Sequence, residues 1–218
     1  MISPTTRRLA ITATVTVALL LTGCSTPYYK TMEMFGYEKR DILTSRVEDG
    51  RDEQQEAKEQ FVSALEAFKS VANFDGGDLE KVYKQLQSEL SACEARAADV
   101  ADRIESIESV AEDLFAEWEA EIETFSDPRL KGDSRVKLAE TRGRYEPLIA
   151  SMRKAEGKMH PVLKTFRDQV LYLKHSLNAA AIASLQDQVF SIETDVAALV
   201  ADMEASIAEA DAFIATLG

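Results

Sequence analysis

The fold is decided by residues 86–118, which read LQSELSACEARAADVADRIESIESVAEDLFAEW. Apolar or small residues recur in this stretch at alternating steps of four and three: Leu86, Leu90, Cys93, Ala97, Val100, Ile104, Ile107, Ala111, Leu114 and Trp118. A sustained heptad spacing of this kind places all of them on one face of an α-helix. The stretch therefore predicts a long amphipathic helix that packs against other helices.

A shorter apolar seam precedes this helix and ends at a turn. It consists of Phe61, Leu65, Phe68 and Ala72. The following residues read NFDGGD, where Gly76 and Gly77 can take the positive φ of a helix cap and Asp78 can cap the next helix. An acidic glycine turn can also bind calcium, but this one lacks the evenly spaced oxygen ligands and the final Glu of a calcium loop. We predict a plain turn between two helices.

Two further breaks divide the rest of the chain. The first covers residues 126–134 and contains Ser-Asp-Pro and Gly-Asp-Ser, after which one heptad phase continues over residues 138–177. Pro147 and Pro161 interrupt that seam, and each is expected to kink the helix or to mark a local restart while the stripe stays on one side. The second break is a one-residue slip of the phase at Asn178, which can cap a new helix.

These breaks predict an all-α protein, an elongated antiparallel helical bundle or coiled coil with four long helices. The helices are expected near residues 29–72, 78–126, 134–177 and 179–217, and together they form a single domain over residues 29–218. Similar lengths and short connections favour an up-down-up-down arrangement. The alternative is a helix that continues through Asn178, because the alanines after it favour helix, and this would give a three-helix or hairpin coiled coil.

The N-terminus carries the pattern of a secretory signal. Arg7 and Arg8 precede a mostly apolar run over residues 9–21, which is shorter than the roughly 20 apolar residues of a spanning helix. The run ends in Leu21-Thr22-Gly23-Cys24, which resembles a bacterial lipobox. We predict cleavage between Gly23 and Cys24, which makes residues 1–23 a signal peptide and residues 24–28 a lipidated tether. An uncleaved anchor and an ordinary signal peptidase site are the alternatives.

The resemblance to bacterial lipoproteins implies fatty acyl chains on Cys24. Two or more chains hold a protein firmly on a membrane, because each buried methylene contributes about 0.8 kcal/mol. In such lipoproteins a Ser rather than an Asp after the cysteine favours the outer membrane, and the residue here is Ser25. The resemblance thus implies an outer-membrane protein that faces the periplasm.

Composition and charge exclude several function classes. Removal of residues 1–23 leaves 23 basic and 38 acidic side chains, a net charge of −15, and no basic stripe is evident along a helical face. We therefore predict no binding to nucleic acid. With Cys24 acylated, Cys93 is the only other cysteine, which excludes an intramolecular disulfide and favours a buried core thiol over intermolecular pairing.

The segment after the tether differs from its surroundings and is the candidate interaction segment. It concentrates aromatic residues and methionines: Tyr28, Tyr29, Met32, Met34, Phe35 and Tyr37. Such residues suit a partner surface or a membrane interface, and they equally suit the core side of the first helix.

Three segments resemble a family of bacterial envelope lipoproteins known only as a domain of unknown function. They are residues 30–43 (KTMEMFGYEKRDIL), 71–79 (VANFDGGDL) and 166–175 (FRDQVLYLKH). The resemblance covers nearly all of the chain after the signal peptide. It implies a location in the cell envelope and a helical fold, and it implies no activity, substrate or catalytic residue.

The sequence carries no recognisable catalytic or metal motif. His160 and His175 are its two histidines and have no Cys or His close by, and nucleophile elbows, phosphate loops and HExxH helices are absent. We predict no enzyme activity, no cofactor and no metal. The expected function is a structural or protein-interaction module that binds an envelope protein or a second copy of itself. The alternative is a carrier or chaperone that opens its bundle around a lipid or an apolar peptide.

Overall fold

The computed structural model describes residues 39–74, 76, 78–176 and 178–217. These form four α-helices: α1 (Lys39–Ala72), α2 (Leu79–Thr124), α3 (Pro128–His175) and α4 (Ala179–Leu217). Their lengths of 34 to 48 residues correspond to about 50 to 70 Å at a rise of 1.5 Å per residue. The predicted all-α fold with four long helices is confirmed, and the helix does not continue through Asn178.

The helices form a closed four-helix bundle. α1 packs against α2 and α4, and α3 packs against the same two neighbours. Because short turns join α1 to α2, α2 to α3 and α3 to α4, consecutive helices run antiparallel. The turns after α1 and α3 therefore lie at one end of the bundle, and the turn after α2 and the end of α4 lie at the other.

Side-chain caps fix the helix starts, as the sequence predicted for two of them. Asp78 Oδ1 accepts a hydrogen bond from the backbone N–H of Lys81 at 3.1 Å. Asn178 Oδ1 accepts the backbone N–H groups of Ala180 and Ala181, each at 3.0 Å. Gly76 has a φ of +145°, so a residue with a side chain would be strained there. These local interactions explain why the chain turns at both places.

The third helix begins six residues earlier than the sequence indicated. It starts at Pro128, directly after Asp127, whose Oδ1 accepts the backbone N–H of Arg129 at 2.8 Å. Proline suits the first helical position because its missing N–H has no partner there in any helix. Gly132 lies within the helix, where a glycine costs only about 1 kcal/mol relative to alanine.

The same helix continues through both of its internal prolines. A proline donates no hydrogen bond to the carbonyl four residues earlier and crowds it. Those positions are Gly143 and Gly157, both exposed and without other atoms within 4 Å of a built Cβ. Water can therefore reach the freed carbonyls, and the glycine backbone can adjust, so the stripe keeps its phase past Pro147 and Pro161.

The core runs along the centre of the bundle. Of the ten residues in the deciding seam of α2, eight are buried, and Ala97 and Trp118 are half-buried. Phenylalanine rings also meet across the diagonal: the centroid of Phe166 on α3 lies 4.5 Å from that of Phe68 and 6.3 Å from that of Phe61 on α1. All three side chains are fully buried.

Candidate interaction surfaces

The predicted site residues lie outside the part of the chain that the structure describes. These are the cleavage position at Gly23, the lipid-attachment residue Cys24, and the candidate interaction segment with Tyr28, Tyr29, Met32, Met34, Phe35 and Tyr37. Leu177, the last residue of the predicted third seam, is also outside it. The predictions made for these residues stay predictions.

The described residues offer no catalytic grouping. Within them, no cluster of three or more His, Cys, Asp or Glu side chains is placed to hold a metal ion. His160 and His175 are both exposed on α3. Cys93 is fully buried, with its thiol 3.5 Å from the carbonyl oxygen of Gln60, and burial raises the pKa of the thiol to about 12. The reactive thiolate is therefore scarce at neutral pH.

Charge is unevenly divided among the helices. α3 carries twelve Lys and Arg against five Asp and Glu, whereas α2 carries four against thirteen. α4 has seven acidic residues and no basic one. The basic helix thus packs between the two most acidic ones. A basic stripe along one helical face is not evident in the sequence, but a charge count for each predicted helix reveals this division.

One ladder of ion pairs joins α2 to α3. Its three pairs are Glu94 with Arg167, Glu108 with Arg153, and Glu119 with Arg142. The steps between pairs are fourteen and eleven residues on both helices, and both steps are close to whole numbers of helical turns. Hydrogen bonds to Glu108 and then Glu156 raise the pKa of Arg153. The three arginines form a basic stripe, but it faces α2, which corrects the expectation that no such stripe exists.

A second ladder joins α1 to α4, with cations on α1 and carboxylates on α4. Its pairs are Lys69 with Glu193 at 2.9 Å, Lys58 with Glu204 at 3.6 Å, and Arg51 with Asp211 at 3.0 Å. Here the steps are eleven and seven residues on both helices. Exposed pairs of this kind each contribute about 0.2–1 kcal/mol, so their main effect is to select the register of the two helices.

One carboxylate links α3 to α4. Asp202 lies 2.9 Å from the Nζ atom of Lys154 and 2.5 Å from that of Lys158. Its side chain is 13% exposed, and the hydrogen bonds from Lys158 and Lys154 lower the pKa of the carboxyl group. The acidic side chains of α4 thus pair with cations on both neighbouring helices, α1 and α3.

A cleft lies on the surface between α1 and α2. It has a volume of about 400 Å³ and is lined by Glu53, Asp99, Asp102 and Arg103. Sites for drug-sized or apolar ligands are lined mostly by apolar side chains. This cleft is therefore poorly suited to a lipid or an apolar peptide.

The hairpin between α2 and α3 is held by its own polar contacts. Trp118 Nε1 donates a hydrogen bond to Ser134 Oγ at 2.9 Å. The carboxylate of Glu123 accepts from Lys131 Nζ at 2.6 Å and from Arg135 Nη2 at 2.8 Å, and these bonds lower its pKa. Both sets of hydrogen bonds connect α2 to α3 across the hairpin. The end of the hairpin therefore keeps a defined shape.

These features define a four-helix bundle whose neighbouring helices are joined by ion pairs at the surface. None of the helices in the described ranges combines the length and the hydropathy needed to cross a membrane. The chain matches, over residues 28–217, the family described as Protein of unknown function (DUF2959), and it belongs to that family. A search of curated proteins finds no match.

Proposed function

We propose that the protein is a lipid-anchored component of the outer membrane that acts in the periplasm as a structural or protein-interaction module and catalyses no reaction. The anchor is supported by Leu21-Thr22-Gly23-Cys24 after the basic and apolar segments of a signal peptide. The acyl chains on Cys24 would supply the membrane attachment.

The observation that carries the module function is the packing of the bundle interior. Each of the four helices buries its apolar stripe against its neighbours, and α1 comes so close to α2 that a Cβ built on Gly50 would lie 2.8 Å from Ile107 Cδ1. A carrier would have to separate helices that this packing holds together. The outer surface is therefore the part of the molecule available to a partner.

The test is crosslinking in cells with mass spectrometry, on the full-length protein in fractionated membranes. We compare the wild type with Cys24→Ala, and Cys93→Ala is the matched control, because it removes a buried cysteine and leaves the anchor intact. We expect the wild type and Cys93→Ala in the outer membrane, each with the same crosslinked envelope protein or second copy, and Cys24→Ala without either.

Two results would contradict the proposal. A wild-type protein that stays soluble would refute the anchor. Wild-type protein in the membrane that crosslinks to no protein and co-purifies with a stoichiometric lipid would refute the module and favour the carrier.

A further inference from the structure

We propose that the end of the α2–α3 hairpin rests in the headgroup layer of the membrane that holds the lipid anchor. This inference rests on the proposed anchoring through Cys24. We define the hairpin tip as residues 118–137, which contain the last turns of α2, the connection and the first turns of α3.

The tip projects past the described parts of α1 and α4 at its end of the bundle. Lys39 Nζ lies 2.7 Å from Glu117 Oε2, and α2 continues for seven residues beyond Glu117, or about 10 Å. The ring of Tyr145 lies 6.3 Å from that of Phe213, four residues before the end of α4. Because α3 begins seventeen residues before Tyr145, the hairpin extends about 20 Å beyond α4.

The tip exposes large apolar side chains, and two of them, Leu130 and Val136, lie between basic residues in the chain. Phe125 is 42% exposed, Leu130 53% and Val136 57%, although the hairpin itself is held in shape by Trp118 and Glu123. The side chain of Arg129 is 90% exposed beside them. Apolar side chains flanked by Arg and Lys are the composition of surfaces that enter the boundary between headgroups and acyl chains.

The charge of the tip does not oppose contact with a membrane. Residues 118–137 contain four basic and five acidic side chains, a net charge of −1. Its basic and acidic side chains nearly balance, so an anionic leaflet repels the tip only weakly.

The length of chain between Cys24 and α1 supports the same orientation. Lys39, at the start of α1, follows Cys24 by fifteen residues, which span at most about 50 Å when fully extended. The opposite end of the bundle lies one length of α1, about 50 Å, beyond Lys39. That end would reach the membrane only if the chain from Cys24 to Lys39 were fully extended. The tip already extends past Lys39 in the other direction.

The test places a fluorescent label at either end of the bundle. Phe125→Cys is labelled with a nitrobenzoxadiazole thiol reagent, and Phe190→Cys is the matched control, because Phe190 is 79% exposed on α4 in the first third of that helix, toward the opposite end. Cys24 is acylated and Cys93 is buried, so neither reacts. The processed lipoprotein is reconstituted into vesicles of phosphatidylethanolamine and phosphatidylglycerol with or without spin-labelled phospholipid.

We expect the label at position 125 to shift to shorter wavelength and to lose most of its emission to the spin-labelled lipid, while the label at position 190 changes little. Leu130→Asp in the Phe125→Cys protein is expected to reverse both effects without releasing the protein from the vesicles. If the protein floats with the vesicles but both labels stay in water, or both are quenched equally, the inference is overturned and the anchor stands. If the protein does not float, the proposed anchor fails.

Discussion

Replacing Gly50 with alanine tests how closely α1 and α2 are packed. An alanine inside a helix is favoured over glycine by about 1 kcal/mol. At this position, however, the new methyl carbon would lie 2.8 Å from Ile107 Cδ1 and 3.4 Å from Met152 Cε, and both of those side chains are fully buried. Overpacking of a filled core typically costs about 1–3 kcal/mol, so Gly50→Ala should be neutral to about 2 kcal/mol less stable than the wild type.

The control is Gly132→Ala, because Gly132 is also helical and has nothing within 4 Å of a built Cβ. We expect that variant to be more stable than the wild type by about 1 kcal/mol, and the two variants to differ by about 1–3 kcal/mol. Both are measured by urea unfolding with matched m-values and by the shift of Tm, at about 2–4 °C per kcal/mol for a chain of this size.

A double-mutant cycle with Ile107→Val isolates the contact. Ile107→Val alone should cost about 0.5–1.5 kcal/mol, and it removes the Cδ1 atom that the new methyl would meet. In this background Gly50→Ala should be stabilising, with a coupling energy of about 1–3 kcal/mol. Gly50→Ala that is as stable as Gly132→Ala, or a coupling energy below about 0.3 kcal/mol, would refute the close packing.

Three further predictions concern Phe166, Gln54 and Asp202. Phe166→Ala removes the ring that meets Phe68 at 4.5 Å and should lower the free energy of unfolding by about 3–5 kcal/mol in urea; a loss below about 1 kcal/mol would contradict the diagonal contact. Gln54→Met should raise it by about 1 kcal/mol, because both polar atoms of the fully buried Gln54 amide lack a hydrogen-bond partner among the described residues; a lower value would show that the amide has one. Asp202→Asn should be less stable than the wild type above about pH 5, and the gap should narrow as the pH falls below about 4, because the pKa of Asp202 is lowered in the folded state and its stabilisation is lost as the carboxylate is protonated. A gap that does not narrow between about pH 5 and about pH 3 would show that the ionised carboxylate does not cause it.

Features set by neighbouring residues were predictable from the sequence. The heptad seams fixed which face of each helix is buried, and Asp78 and Asn178 cap their helices through bonds to backbone atoms two or three residues away. The start of α3 was predicted six residues too late, and the cause is also local. Gly132 looks like a breaker, but it is tolerated once Asp127 and Pro128 have formed the first turn.

Features that join distant segments were not predictable. The ring contact of Phe166 with Phe61 and Phe68 crosses the bundle between non-adjacent helices, and a heptad pattern does not say which seams face each other. In the sequence, Gly50 only indicates a less stable position within a helix. The position of Ile107 shows that this glycine allows α1 and α2 to approach closely. The predicted lipid attachment and interaction segment lie outside the described residues, so they remain predictions.

The ion-pair ladders determine the register of neighbouring helices. The heptads alone do not, because a heptad seam packs equally well after one helix slides by seven residues. If α4 slid by seven residues along α1, Lys69 would face Gln186 in one direction and Val200 in the other, instead of Glu193. In the first case Lys58 would face Ala197. Either slide breaks all three pairs and forms one new pair, Arg51 with Glu204 or Lys58 with Asp211, so the native register has two more pairs. Pairs that each contribute less than about 1 kcal/mol hardly determine whether the bundle forms. They can still decide which of several equally apolar alignments it takes, because specificity depends on the difference between the alignments rather than on their total stability.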